Sequence, residues 1–340
     1  MKITKSHLIK AYRALTDISS FRLVKEYHIK GDRPLKAIPT YLDTLWCKFR
    51  YGMTTKEYFL FGFYNKSGYA RRAFVSSAES SLTIANLINK GDKSMFDQKY
   101  NTYKAFKPFY RREAVFVSLP RESDKLVEFA RAHGGFILKP EVSSQGRGIR
   151  FWKDDMDNAE SMLKEICCSN IGGVILEELI QQDDRMASFH PSSINTVRYC
   201  VDYLDGYVDK IYAIIRIGVG NSKVDNTSAG GICAAIDLET GIVVSKGLRR
   251  DGKQFAFHPD TGKQIIGSKI PDWEKLNDVI EKIRPENSPV HFVGWDMALS
   301  KDGWCIVEGN WGPAIIGIQA SSDTGYRSVL KRARKNARKR

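Results

Sequence analysis

Apolar residues alternate with small or polar ones on both sides of Lys301-Asp302-Gly303, from Val293 to Asn310, a pattern that reads as a β-hairpin. A glycine closing a short loop supplies the positive φ that such a turn needs. With Lys301 to Gly303 as a three-residue loop, Ser300 faces Trp304, Asp296 faces Glu308, and Asn310 follows two residues on along the same face. Asp296, Glu308 and Asn310 then converge. A two-residue Asp302-Gly303 turn would instead send Asp296 to the opposite face, so register decides the site. Three oxygen donors without His or Cys suit Mg²⁺, with Mn²⁺ as the alternative, because hard cations take carboxylate oxygens and complete their shell with phosphate and water. Solvated acids on an ordinary surface hairpin fit the same residues.

Upstream, Gly135-Phe-Ile-Leu-Lys-Pro140 is an apolar strand ending in Lys139. The loop of Ser143, Ser144, Gln145, Gly146, Arg147 and Gly148 follows, then a second short strand from Ile149 to Trp152. Glycines let backbone N–H groups approach an anion, serines add hydroxyls, and Lys139 and Arg147 add charge. No Lys followed by Ser or Thr closes the loop and no helix opens from it, so neither a P-loop nor a dinucleotide fingerprint fits. A hairpin that folds over a triphosphate fits; so does a plain glycine hairpin. After a helix over 157–168, Gly173 to Ile180 reads as a buried strand, followed by Gln181-Gln182-Asp183-Asp184. Asn195-Thr-Val-Arg-Tyr199 opens a pair of long strands joined near Asp205-Gly206 and ending around Arg216. Arg198 and Arg216 offer planar forks to phosphate or carboxylate, and Asp225 to Gly231 forms another small-residue loop.

In this order and spacing, from about Lys104 to Pro313, the residues resemble the ATP-grasp superfamily. The resemblance implies an α+β ATP-grasp fold, two α+β subdomains clasping ATP, with a mainly helical N-terminal region. It places nucleotide-holding lysines at Lys104 and Lys139 and a lid at Ser143 through Gly148. The strand contacting adenine falls on Glu177, Glu178, Leu179 and Ile180, with Asp183 on the ribose. Asp296, Glu308 and Asn310 become the metal ligands, and Arg198 meets the transferred phosphoryl group. Phe189 to Arg198 together with Asp225 to Gly231 resemble the sugar-transfer-associated and teichuronopeptide-type branch. That branch implies a carboxylate–amine ligase joining an amino acid to a uronic acid or related carboxylated sugar. Arg216 and Asn226 are then candidates for holding the carboxylate or the tetrahedral intermediate. The alternatives are a kinase for a sugar or alcohol, and a nucleotide-binding protein without turnover. Before Lys104 the chain lacks the alternating strands and helices of a Rossmann-like preceding domain.

Residues 1–100 carry mixed runs, Ser6 to Leu15 and Thr55 to Tyr64, that suggest a helical cap with a loop marked by Pro34 and Pro39. Its aromatic stretch from Tyr58 to Tyr64 reads as core. Ser19 and Ser20 suit helix caps, while Phe74-Val-Ser76 and Ala114 to Ser118 suit short strands. The expected division is 101–325 for the ATP-grasp domain, with a lid subdomain about 115–180 and a metal-binding subdomain about 185–325. A basic tail occupies 326–340. No run of about eighteen apolar residues spans a membrane, and Met-Lys-Ile-Thr-Lys at the start is not followed by the apolar core of a signal peptide. A cytoplasmic enzyme is expected, peripheral at the inner face of the membrane if the tail binds there. Cys47, Cys167, Cys168, Cys200, Cys233 and Cys305 lack Cys-x-x-Cys spacing and suit buried thiols. Lys and Arg number 53 against 39 Asp and Glu, and the stretch from Arg327 to Arg340 holds eight of the basic residues and no acid. A solvated tail is expected there, with an anionic membrane surface or an anionic glycan as its partner. Nucleic acid is the minor reading, because no zinc-finger, RRM or helix-turn-helix signature accompanies the charge. His190, before Pro191, reads as structural.

Overall fold

The computed structural model describes residues 21–26, 37–119, 121–133, 135–142, 148–153, 173–286 and 288–339. Ser143, Ser144, Gln145, Gly146 and Arg147 lie outside them. So do the helices expected at 6–15 and 157–168, the caps Ser19 and Ser20, Pro34, Cys167 and Cys168.

Two antiparallel sheets organise the chain. The smaller contains β1 (Ala114–Ser118), β2 (Gly135–Pro140), β3 (Arg150–Lys153) and β4 (Gly173–Glu178), in the order β1-β4-β2-β3. The larger contains β5 (Thr196–Leu204), β6 (Tyr207–Ile217), β7 (Ile232–Ile236), β8 (Gly247–Arg249), β9 (Gln254–Phe255), β10 (Phe292–Ser300) and β11 (Gly303–Asn310). Its order is β11-β10-β5-β6-β7-β8-β9.

Both faces of the larger sheet are covered, which is why its central strands are apolar almost throughout. Val197, Tyr199, Ala213 and Ile215 share one core with α4 (Lys99–Tyr110) and α6 (Trp273–Lys282). Helix α6 meets that face through Trp273, Leu276 and Ile280, the 3.6-residue stripe of a half-buried helix. Cys200, Tyr212, Ile214 and Phe292 face the other core, built with α1 (Ala37–Tyr51), α2 (Thr55–Leu60), the turn Ile84–Ile88 that continues α3 (Ser77–Thr83), and α7 (Arg327–Ala337). The third core lies in the smaller sheet beneath α5 (Ser123–His133).

The helical N-terminal region is welded to the larger sheet. A capping box of Thr54 and Glu57 starts α2, and the same Glu57 accepts from the Ser77 N–H at 2.7 Å. Tyr58, Phe59, Phe61 and Phe63 are buried, so the aromatic run is core as expected up to Phe63, while Tyr64 is exposed. Asn89 is fully enclosed: its Nδ2 donates to the carbonyls of Phe292 and Trp311, and its Oδ1 accepts from the N–H groups of His291 and Phe292. Phe74 to Ser76 is not a strand. Its one ladder-like partner is a side chain, the Gln319 amide, which accepts from Val75 N and donates to Val75 O, both at 2.9 Å.

The expectation of a solvated tail is also corrected. Arg327 to Ala337 is helix α7, with Leu330 and Ala333 buried and Arg327 held by Glu79 and by the carbonyls of Arg72 and Phe74. Val329 packs partly against the same core, and hydrogen-bonded charge supplies the rest of the anchoring.

Candidate functional site

A cavity of about 580 Å³ lies between the two sheets. The smaller sheet contributes Lys139 and Glu177, the larger Arg216, Asp296 and Glu308, and α4 contributes Lys99.

The hairpin reaches the expected pairing by an unexpected route. Its loop is two residues, since Ser300 pairs with Gly303, whose φ is 107°. That register alone would oppose Asp296 to Val307, and a β-bulge between Asp296 and Met297 shifts it by one, so that Asp296 pairs with Glu308 and Gly294 with Asn310. The bulge also brings Val307, Glu308 and Gly309 together to the cavity wall, where strict alternation would turn one away.

Around Asp296 the charges are tightly matched. Arg198 donates to both of its oxygens at 2.7 Å, and Arg216 donates to Oδ2 at 2.7 Å. Arg216 also reaches Asp225 at 2.6 Å and the Asn226 amide oxygen. Burial raises the Asp296 pKa, but the two guanidiniums outweigh it and hold the carboxyl below its ordinary range. Glu308 responds oppositely: burial and the Asp296 charge raise its pKa against Lys139, Arg198 and Lys99. Among the described residues Glu308 has no salt bridge. The Asn310 Nδ2 is buried without a hydrogen-bond partner. An anionic oxygen would satisfy it there, as would a cation with the amide turned over. In donor chemistry these oxygens suit Mg²⁺: Glu308 and Asn310 would be the open ligands, and Asp296 would offer a remaining lone pair beside its arginines.

Opposite, Lys139 donates to Glu177 Oε1 at 2.9 Å. Arg112 donates to Glu177 Oε2 through Nε at 2.9 Å, and its Nη1 donates to Ile306 O at 2.6 Å. Burial raises the Glu177 pKa, yet Arg112 and Lys139 prevail and bring it down to about 2. Sequence reasoning did not single out Arg112 or Lys99. Burial lowers the Lys99 pKa, partly offset by Glu308, which puts a readily shifted ammonium at the cavity wall.

The other sequence candidates are placed as follows. Lys104 is exposed, 5.4 Å from the Tyr100 ring centroid, and is not among the residues lining the cavity. Glu178, Leu179 and Ile180 line it. Asp183 caps the helical turn Asp184–Ala187 and pairs with Arg185, which also holds Asp272, whereas the neighbouring Gln182 faces the cavity. Gly148 packs on Pro140 with φ 73°, where an added Cβ would come within 2.8 Å of the ring. His190 is buried in a structural web, with Nδ1 at 2.8 Å from Ser193 Oγ and Nε2 at 2.8 Å from Gly220 O.

A family model described as sugar-transfer associated ATP-grasp matches residues 91–335. The match begins ahead of 101 and runs on into α7. No curated relative matches. Among solved structures, the D-alanine–D-alanine ligase from Helicobacter pylori aligns at 12% identity and TM-score 0.45, over 71% of this chain and 61% of that one. The ATP-grasp ligase PsnB complexed with minimal precursor aligns at 15% identity and TM-score 0.42, over 76% and 70%. This chain thus spans less than two thirds of the Helicobacter ligase.

Proposed function

Because the chain belongs to the sugar-transfer associated ATP-grasp family, we propose that it is an ATP- and Mg²⁺-dependent ligase that activates a carboxylate as an acyl phosphate and condenses it with an amine. The observation that carries this is the facing arrangement of charge. Arg216, Asp296 and Glu308 line one wall of the cavity, with Arg198 bonded to Asp296, Lys139 across from them and Lys99 on α4.

Transfer of the γ-phosphoryl group to a carboxylate oxygen brings two anions together, so cations must be in place before reaction. Lys139 and Lys99 hold the phosphates, while the backbone of Glu178 to Ile180 meets the adenine. The ribose falls to Asp183 by the resemblance and to Gln182 by position. Lys104 is set aside as a nucleotide contact in favour of Lys99. Glu308, Asn310 and Asp296 would hold Mg²⁺, whose charge would offset that of the phosphates. Arg198 meets the transferred phosphoryl group, and Arg216 with Asn226 orients the carboxylate. The amine then attacks the acyl carbonyl, an amide forms, and phosphate leaves. Substrates of the proposed reaction are a carboxylated sugar or polysaccharide precursor and an amino acid.

Purified protein incubated with ATP, Mg²⁺ and pools of amino acids and uronic-acid saccharides should release ADP and phosphate and yield a condensation mass. Glu308→Gln should abolish that mass. A stable phosphorylated product would overturn the ligase in favour of a kinase.

A further inference from the structure

Helix α1 is turned inside out. Its buried positions are Thr40, Thr44 and Cys47, whereas Ile38, Leu42, Trp46 and Phe49 are 66%, 59%, 56% and 70% exposed. Those four recur at i, i+4, i+8 and i+11, so they form one apolar stripe on the face away from the core. A lone exposed leucine is ordinary, but four large side chains in line mark a surface that meets something less polar than water.

The end of the same helix carries opposite chemistry. Arg50 and Tyr51 enter an open cleft of about 700 Å³ that also holds Arg72, Glu79, Arg327 and Lys331. The Glu79 charge is spent on Arg327. Arg50, Arg72 and Lys331 are exposed and have no acidic partner among the described residues. Lys331 continues into the exposed Arg334 and Lys335 of α7.

We propose that this face docks on an anionic phospholipid membrane. Ile38, Leu42, Trp46 and Phe49 enter the headgroup–acyl boundary, and Arg50, Arg72 and Lys331 hold lipid phosphates at its rim. An amphipathic helix lying in the interface needs this pairing of aromatic and aliphatic bulk with cations. Nucleic acid would use the cations and leave the apolar stripe in water. No helix among the described residues is long and apolar enough to cross a membrane, so the contact is peripheral. It is independent of the ligase reading, since none of these residues lines the cavity between the sheets.

The test uses the full chain with vesicles of phosphatidylcholine alone and of phosphatidylcholine mixed with phosphatidylglycerol. The protein should sediment with the mixed vesicles and not the neutral ones, and its tryptophan emission should shift to the blue, a shift that Trp46→Phe removes. Trp46→Ser combined with Phe49→Ser, and separately Arg50→Glu combined with Lys331→Glu, should each weaken vesicle binding about ten-fold or more. Melting temperatures should hold, because all four side chains face solvent. Three results would overturn the proposal: unchanged binding by these variants, capture of inorganic phosphate without vesicle binding, or a concentration-dependent dimer that the Trp46 and Phe49 changes abolish.

Discussion

Asp296 and Glu308 face each other across one strand pair and are held in opposite states. Asp296 is neutralised by two guanidiniums, whereas burial and that same aspartate raise the Glu308 pKa. For an acid with a raised folded pKa the native state binds more protons, so stability falls as pH rises from its ordinary value through the raised one. At neutral pH Glu308 therefore works against folding. Glu308→Gln should raise the melting temperature of the ligand-free protein while cutting ATP turnover by about 100-fold or more. Asp296→Asn should do the reverse to stability, costing about 3 kcal/mol, because it leaves Arg198 without its counter-charge and Arg216 with Asp225 alone. Calorimetry of the two variants side by side checks both signs. If Glu308 holds Mg²⁺ as proposed, the affinity for the metal should begin to fall at a pH above the range of an ordinary glutamate, because the free site must lose a proton to bind it.

Elements buried on both faces were the most legible in the sequence. Strand β2 runs from Gly135 to Pro140 as its apolar run implied, and β5 turns into β6 at Asp205-Gly206. The β10–β11 hairpin was legible in pairing but not in path. Trp304-Cys305-Ile306-Val307 is four apolar residues in a row, the trace of the bulge, yet apolar side chains on a two-sided sheet look alike in or out of register. Lys99 and Lys104 lie about 140° apart on a helix, and nothing local says which of them meets the cavity. Helix α7 was hidden by its charge, because Leu330 and Ala333 are its only fully buried residues. Its burial now makes a contrast testable: Leu330→Ala should cost about 3 kcal/mol in denaturant unfolding, whereas Lys335→Ala, on the exposed side, should change stability by under about 0.5 kcal/mol.

Across the whole molecule, the two sheets meet at Glu177. Arg112 binds it with one edge of its fork and the Ile306 carbonyl of β11 with the other, and Lys139 of β2 closes the group. That link works beside the backbone bonds from Asp183 to Leu299 and from Lys301 to Gln181. Its strength is written in protonation: the Glu177 carboxyl is held at about 2, against an ordinary 4.5. A depressed carboxylate adds stability that is fully present above its unfolded pKa and lost as pH falls through its folded one. At roughly 1.4 kcal/mol per unit the link contributes about 3 kcal/mol, fading between about pH 4.5 and pH 2. Glu177→Gln should remove that pH-dependent increment and leave Arg112 and Lys139 buried without a counter-charge, for a total loss of about 3–5 kcal/mol at neutral pH. Denaturant melts across that window should show the wild type converging on a variant whose own profile is flatter. Hydrogen exchange should then locate the break: if the link joins the sheets, amides of β2 and β4 in Glu177→Gln exchange well ahead of those in β5 and β6. Uniform acceleration across both sheets would mean that they unfold as one unit and that Glu177 stabilises the fold without coupling its halves.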